Sequence, residues 1–108
     1  MTVNELAAMP GFRTVSLPDG ERAVKNVYIG DLLSWVMGRA QADDAWITIM
    51  SNINIVAVAS LADAACIILA EGVTLDASVA ETANAKGVNI LTADMSAYEI
   101  AKLLSNKI

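Results

Sequence analysis

Few residues of this chain could do chemistry, and their types exclude several common kinds of site. The 108 residues include no histidine and one cysteine, Cys66. Without histidine, the usual zinc ligand sets and the histidine-dependent catalytic triads cannot form. Cys66 lies in the apolar run CIILA, where we expect a buried structural thiol rather than a nucleophile. We therefore expect no metal site and no cofactor.

The carboxylates offer no clear catalytic arrangement either. Asp31, Glu71 and Asp94 could act as general acids or bases, but nothing in the sequence places them together. Asp43 and Asp44 are adjacent in a polar stretch, a pattern more typical of a solvated turn than of a paired-carboxylate site. The sequence thus predicts a protein that is not an enzyme.

Composition narrows the class of partner. Seven basic and twelve acidic residues give a formal charge of -5, and the basic residues form no stripe, so we expect no nucleic-acid binding. The chain is 56% hydrophobic and 18% charged, as expected of a folded domain. Its longest apolar run, Leu61 to Ala70, is interrupted by Asp63 and is shorter than the roughly 18 residues that span a membrane. The start MTVNELAAMPGF has no secretory pattern, so the expected location is the cytoplasm.

The first third of the chain predicts a short helix followed by a strand or hairpin. Thr2 and Glu5 have the spacing of a capping box, and the helix they begin should end before Pro10. An alternating run follows from Phe12 to Leu17. Pro18, Asp19 and Gly20 then separate this run from a second one, Ala23 to Ile29, which is typical of a strand or hairpin.

The rest of the chain alternates between helical and strand patterns. Helical spacing begins at Asp31, which is placed either to cap that helix or to complement its positive end. The apolar runs predict strands that are buried on both faces, and polar residues before the intervening segments predict helix starts. The predicted strands are Ala45 to Met50, Cys66 to Ala70 and Val88 to Leu91; the helices start after Ser51 to Asn54, after Asp76 and at the Ser96 and Glu99 capping box.

This order predicts an α/β fold. Right-handed crossovers between the strands would give a three-layer α/β/α domain over residues 1–108 with a mostly parallel sheet of about five strands. The N-terminal hairpin could add an antiparallel edge. Trp35, Met37 and Trp46 are expected in the core, although Trp and Met also occur at partner surfaces.

Several segments occur in an order that resembles a known family. They are VYIGDLLSWVM, AWITI, NIVAVASLADAACIIL and GVNILTADMSAYEIAKLL. Over residues 25 to 108 the chain resembles the DRTGG domain, especially its small stand-alone bacterial members, whose fold is similar to the N-terminal domain of HPr kinase. The resemblance implies a regulatory, ligand-sensing or dimer-forming module. The string Asp-Arg-Thr-Gly-Gly is absent, so the resemblance does not imply a ligand tied to that string. A GxxxxGK[ST] phosphate loop is also absent, and for this reason we expect no kinase activity.

Candidate ligand contacts lie where the predicted strands end. In an open parallel sheet, ligands bind beyond the carboxyl ends of the strands, near helix N-termini. Each such polar residue could equally serve only as a helix cap. Asp31 would repel a phosphate and favours a cationic or hydroxylated ligand. The candidate ligand-binding residues are Gly30, Asp31, Ser51, Asn52, Asn54 and Thr92.

Two functions remain open at this stage. The first is a non-catalytic regulatory module that forms a homodimer and senses a small ligand, such as a nucleotide or phosphorylated metabolite, at the strand ends. The apolar surplus and the resemblance both favour the dimer. The alternative is an adaptor that docks on an enzyme or regulator through an apolar patch, without a small-molecule ligand.

Overall fold

The computed structural model describes residues 1–108 and places a five-stranded sheet between two layers of helices. The helices are α1 (Val3–Ala7), α2 (Leu33–Arg39), α3 (Asn54–Ala62), α4 (Ala77–Ala85) and α5 (Ala97–Ser105). The strands are β1 (Phe12–Ser16), β2 (Asn26–Ile29), β3 (Asp44–Thr48), β4 (Cys66–Leu69) and β5 (Ile90–Ala93). The predicted α/β class is confirmed. None of the helices has the length and apolar character needed to cross a bilayer.

The sheet has the strand order β1-β5-β4-β3-β2. Strands β2 to β5 are parallel, and β1 pairs antiparallel with β5, which confirms the antiparallel N-terminal edge. The predicted hairpin is wrong, because β1 and β2 lie at opposite edges. The segment that connects β1 to β2 is bound by other parts of the chain. Val3 N donates to Arg22 O, Asn4 N donates to Gly20 O, and Asn89 binds Asp19.

The two sheet faces carry separate cores. Because β2 to β5 are adjacent in chain order, right-handed crossovers put α2, α3 and α4 on one face. Trp46, Ile67 and Ile90 are buried on that face, whereas Ile47, Ile68 and Leu91 pack on the other with residues of α1 and α5. This double burial explains why β3, β4 and β5 read as continuous apolar runs.

The predicted helix starts differ in how they are capped. Asp76 is the N-cap residue of α4, but its side chain makes no cap hydrogen bond. Both capping boxes form: the Thr2 and Ser96 hydroxyls accept the N–H groups of Glu5 and Glu99, and each glutamate accepts in return. Asp31 does not cap α2, whose N-cap residue is Leu32 and has no side-chain cap. The Asp31 carboxylate binds the end of β3 instead.

The core prediction holds for one of three residues. Trp46 is fully buried, but Trp35 and Met37 are 53% and 48% exposed. Most residues of α2 are apolar, but only Val36 is buried. The Arg39 guanidinium lies 3.7 Å from the centre of the Trp35 ring, a cation–π contact. The strand predicted to reach Met50 ends at Thr48, and Ile49 is 49% exposed.

Candidate functional site

Asp31 joins the carboxyl ends of β2 and β3. Its Oδ1 accepts hydrogen bonds from the Thr48 hydroxyl at 2.8 Å and from the Ile49 N–H at 3.0 Å. Both bonds use the same oxygen, so Oδ2 is available to another partner. The side chain is exposed. Asp31 therefore stabilises the edge of the sheet and keeps a free carboxylate oxygen there.

Gly30 lies in the same turn and is held by its backbone. Its carbonyl accepts the Trp46 indole N–H at 2.8 Å, and its N–H donates to Ile47 O at 3.2 Å. A Cβ at this position would lie 2.9 Å from Cε2 of the Tyr28 ring. The packing of Tyr28 thus accounts for the glycine, and contact with a ligand stays a prediction.

The loop from Ser51 to Asn54 connects β3 to α3 and has the most unused polar groups. Asn52 Oδ1 accepts the Asn54 N–H at 2.9 Å, a local turn that begins the helix. The other polar groups of this loop are the Ser51 hydroxyl, Asn52 Nδ2 and the Asn54 amide, which make no bond within the chain. Asn52 and Asn54 are exposed and Ser51 is half-buried. These groups could donate hydrogen bonds to a small molecule.

Thr92 lies at the end of β5, two strands away from that loop. Its side chain is mostly buried, and its hydroxyl donates to Val73 O at 3.0 Å. Because β4 lies between β3 and β5, Thr92 and Ser51 do not follow adjacent strands. The structure brings Gly30, Asp31 and Thr48 together but does not bring Thr92 to them.

A second polar corner lies where β4 and β5 end. Arg13 of β1 makes two hydrogen bonds to the Asp94 carboxylate, at 3.1 and 3.2 Å. These bonds hold the pKa of Asp94 below its usual value. Gly72 has φ +69°, and a Cβ there would lie 2.8 Å from Asp94 Oδ1. The sequence did not reveal Arg13, because its partner lies far along the chain.

Cys66, Asp43 and Asp44 lie away from the carboxyl ends of the strands. Burial raises the pKa of the Cys66 thiol to about 12, and the expected burial of this residue is confirmed. The solvated turn expected at Asp43 and Asp44 is wrong for Asp44, which is 2% exposed and accepts the Gln41 N–H. Arg22 binds Asp43 and lowers its pKa. No group of three histidine, cysteine or acidic side chains is placed to hold a metal ion.

A groove between α3 and α4 was not predicted from the sequence. It has a volume of about 490 Å³, within the range of small-molecule sites, and Asn54 lies in its wall. Ile53 and Leu61, which are 47% and 71% exposed, line it with Thr82 and Lys86. Two helices from separate segments form the groove. One sequence feature could have indicated this groove: α3 is apolar almost throughout, and a helix with one buried face needs fewer apolar residues.

Comparison with known proteins agrees with the fold. The family model of the DRTGG domain matches residues 15–106. No protein with a curated description matches the chain. Among solved structures, the chain is similar to the CBS and DRTGG domains of the regulatory region of Clostridium perfringens pyrophosphatase, complexed with the activator diadenosine tetraphosphate. The TM-score is 0.67 at 13% identity, and the match covers 86% of this chain and 41% of that chain. A likeness at this identity concerns the fold.

Proposed function

Because this chain belongs to the DRTGG domain family, we propose that it is a non-catalytic regulatory module that forms a homodimer and senses a small ligand. The ligand is a nucleotide or phosphorylated metabolite bound at the carboxyl ends of the strands. Support for a nucleotide comes from the pyrophosphatase regulatory region, which is complexed with diadenosine tetraphosphate. The observation on which the site depends is the set of free donors at Ser51, Asn52 and Asn54 beside the start of α3.

The charge of the site restricts how a phosphate could approach. The free Asp31 oxygen lies at the neighbouring strand end and repels anions, and the chain has a formal charge of -5. A phosphate therefore binds on the α3 side of the loop, where the helix N-terminus favours negative charge. Asp31→Asn keeps the Oδ1 acceptor and removes the charge. At a protein concentration where both are monomeric, we expect this variant to bind an anionic ligand more tightly than the unmodified chain.

Thermal denaturation tests the ligand directly. AMP, diadenosine tetraphosphate and inorganic phosphate are added separately, and a ligand at 100 times its Kd should stabilise the fold by about 2.7 kcal/mol. Asn52→Ala combined with Asn54→Ala should abolish the rise in melting temperature. Asn84→Ala combined with Asn106→Ala removes two exposed amides elsewhere and should leave it unchanged. Equal binding by both double variants would exclude this loop.

Exposed apolar side chains support the adaptor as a second candidate. Trp35 is 53% exposed on α2 and Leu61 is 71% exposed beside the α3–α4 groove. Such residues are typical of surfaces that contact another protein. If none of the three probes raises the melting temperature while light scattering shows a dimer, ligand sensing loses its support and the adaptor gains it. A monomeric mass at micromolar concentration would contradict the dimer.

A further inference from the structure

The edge of the sheet at β2 is open. β2 is the last strand in the order, and only β3 pairs with it. Gly30 N donates to Ile47 O, so the even-numbered residues of β2 point their backbone groups toward β3. By alternation, the N–H and C=O groups of Val27 and Ile29 point outward. Two donors and two acceptors on this edge therefore lack a strand partner.

The β2 edge contains no bulge and no proline that would keep another strand from pairing with it. The opposite edge strand, β1, contains a register shift between Thr14 and Ser16, an irregularity that discourages pairing. β2 keeps a regular register through all four residues and contains no proline. Its last residue, Ile29, is 51% exposed. An unprotected, apolar edge of this kind is a surface for strand addition.

We propose that two copies of this chain pair through β2, antiparallel, with the two-fold axis at Tyr28. In this register Val27 faces the partner's Ile29, and each of these pairs exchanges two backbone hydrogen bonds. Lys25 faces the partner's Asp31. Lys25 is 71% exposed at its side chain, and its Nζ lies 3.4 Å from Asp43 Oδ2 in its own chain. Asp43 also binds Arg22, so Lys25 can exchange Asp43 for the free Oδ2 of the partner's Asp31. Each copy contributes one Lys25 and one Asp31, so this register forms an ion pair on both sides of the two-fold axis, and a register shifted along the strand does not. This complementarity favours a second copy of the chain as the partner.

A groove beside β2 provides room for the partner's side chains. It has a volume of about 510 Å³ and is lined by Val27, Ile29, Ala101, Ser105 and Ile108. Directly opposite residues of an antiparallel pair lie on the same face of the sheet. The partner's Ile29 would therefore lie next to Val27, above this groove. Burial of these aliphatic side chains adds to the backbone hydrogen bonds and joins the two sheets into one of ten strands.

Light scattering of Ile29→Pro tests the backbone pairing. The inference rests on the homodimer of the proposed function, so the unmodified chain is measured first. Proline at position 29 removes one outward donor from each copy and leaves the bonds to β3 intact. Loss of two intermolecular hydrogen bonds should raise the Kd of the dimer by about 30-fold or more. Leu61→Lys changes an apolar residue of α3 that is more exposed than Ile29, at 71% against 51%, and should leave the mass unchanged.

Cross-linking tests the register independently of any loss of stability in the proline variant. At the two-fold axis, Tyr28 and the partner's Tyr28 would have Cα atoms about 4.5 Å apart, within the range of a disulfide. Tyr28→Cys should therefore form a disulfide-linked dimer under mild oxidation, while buried Cys66 stays unreactive. Val27→Cys should not, because its two copies are offset by two residues.

The outcomes separate the two proposals. A monomeric unmodified chain would overturn the homodimer and this interface together. A dimer that persists in Ile29→Pro and gives no Tyr28→Cys cross-link would overturn only the β2 interface. Cross-linking of Val27→Cys in place of Tyr28→Cys would overturn the register.

Discussion

Replacement of Asn89 by alanine should destabilise the fold more than any other exchange of asparagine for alanine. Asn89 is 2% exposed at the entrance to β5. Its Nδ2 donates to Asp19 O at 2.8 Å and to Ala65 O at 2.9 Å, and its Oδ1 accepts the Asp19 N–H at 3.0 Å. This one side chain therefore fixes the connection after β1 and the segment before β4.

The expected loss follows from those three bonds. At about 1 kcal/mol each, Asn89→Ala should lower the free energy of unfolding by about 3 kcal/mol. The unfolding entropy of 108 residues is about 0.23 kcal/mol per kelvin, so the melting temperature should fall by about 13 °C. Urea unfolding followed by circular dichroism gives the free energy, and thermal unfolding gives the temperature. Both are measured at one protein concentration, since a dimer makes them concentration-dependent.

Asn84→Ala is the matched control for Asn89→Ala. Asn84 is exposed on α4, so its replacement should change the free energy of unfolding by less than about 0.5 kcal/mol. Asn89→Asp is a second test, because a carboxylate cannot donate to the carbonyls of Asp19 and Ala65. The reasoning is refuted if Asn89→Ala costs less than about 1 kcal/mol, or no more than the control.

Two further predictions concern ionisable groups. Arg22 binds Asp43 and Asp63 with its side chain 23% exposed, so Arg22→Met should cost about 2 kcal/mol at pH 7. The exposed Arg13 ion pair makes Arg13→Met a milder control. Because Arg22 lowers the pKa of Asp43, this stabilisation is complete above about pH 4 and is lost as the pH falls through the lowered pKa. Urea titrations of Arg22→Met and of the unmodified chain measure the difference in unfolding free energy at each pH. A difference that stays constant down to pH 2 would contradict this prediction. The pKa of Cys66 is raised to about 12, so a thiol reagent at pH 8 should label it in urea and not in the folded chain; stoichiometric labelling of the folded chain within minutes would contradict its burial.

The features that the sequence predicted correctly depend on residues that are close together in the chain. The capping box at Ser96 needs only Glu99, and the one at Thr2 needs only Glu5. β4 reads as a strand because both of its faces are covered. Periodicity and caps therefore established the α/β class and most element positions.

The errors arose where distant residues decide the structure. The run from Phe12 and the run ending at Ile29 have a turn between them, which is typical of a hairpin. Yet the Ser16 hydroxyl binds Val88 O, 72 residues away, and this contact helps hold β1 beside β5. Turn residues do not specify which strands pair, so the sequence could not exclude the local alternative.

Prediction of the candidate site from the sequence was limited for a different reason. Capping and ligand binding use the same residue types, so the sequence could not separate them. The structure distinguishes the candidates by the polar groups they have left. Thr92 already donates a hydrogen bond to Val73 O, and a Cβ at Gly30 would contact the Tyr28 ring. Free donors are concentrated at Ser51 to Asn54, and these residues are therefore the first to substitute.

Asp31 connects this loop to the β2 edge. One of its oxygens holds Thr48 and Ile49, just before the loop, and the other is free at the end of β2. In the proposed dimer that free oxygen meets the partner's Lys25, which neutralises the charge that would repel a phosphate. Dimer formation and binding of an anionic ligand should therefore strengthen each other, since linkage between two binding events is reciprocal. A regulatory module needs such a connection between its ligand and its assembly, and Asp31 is placed to provide it.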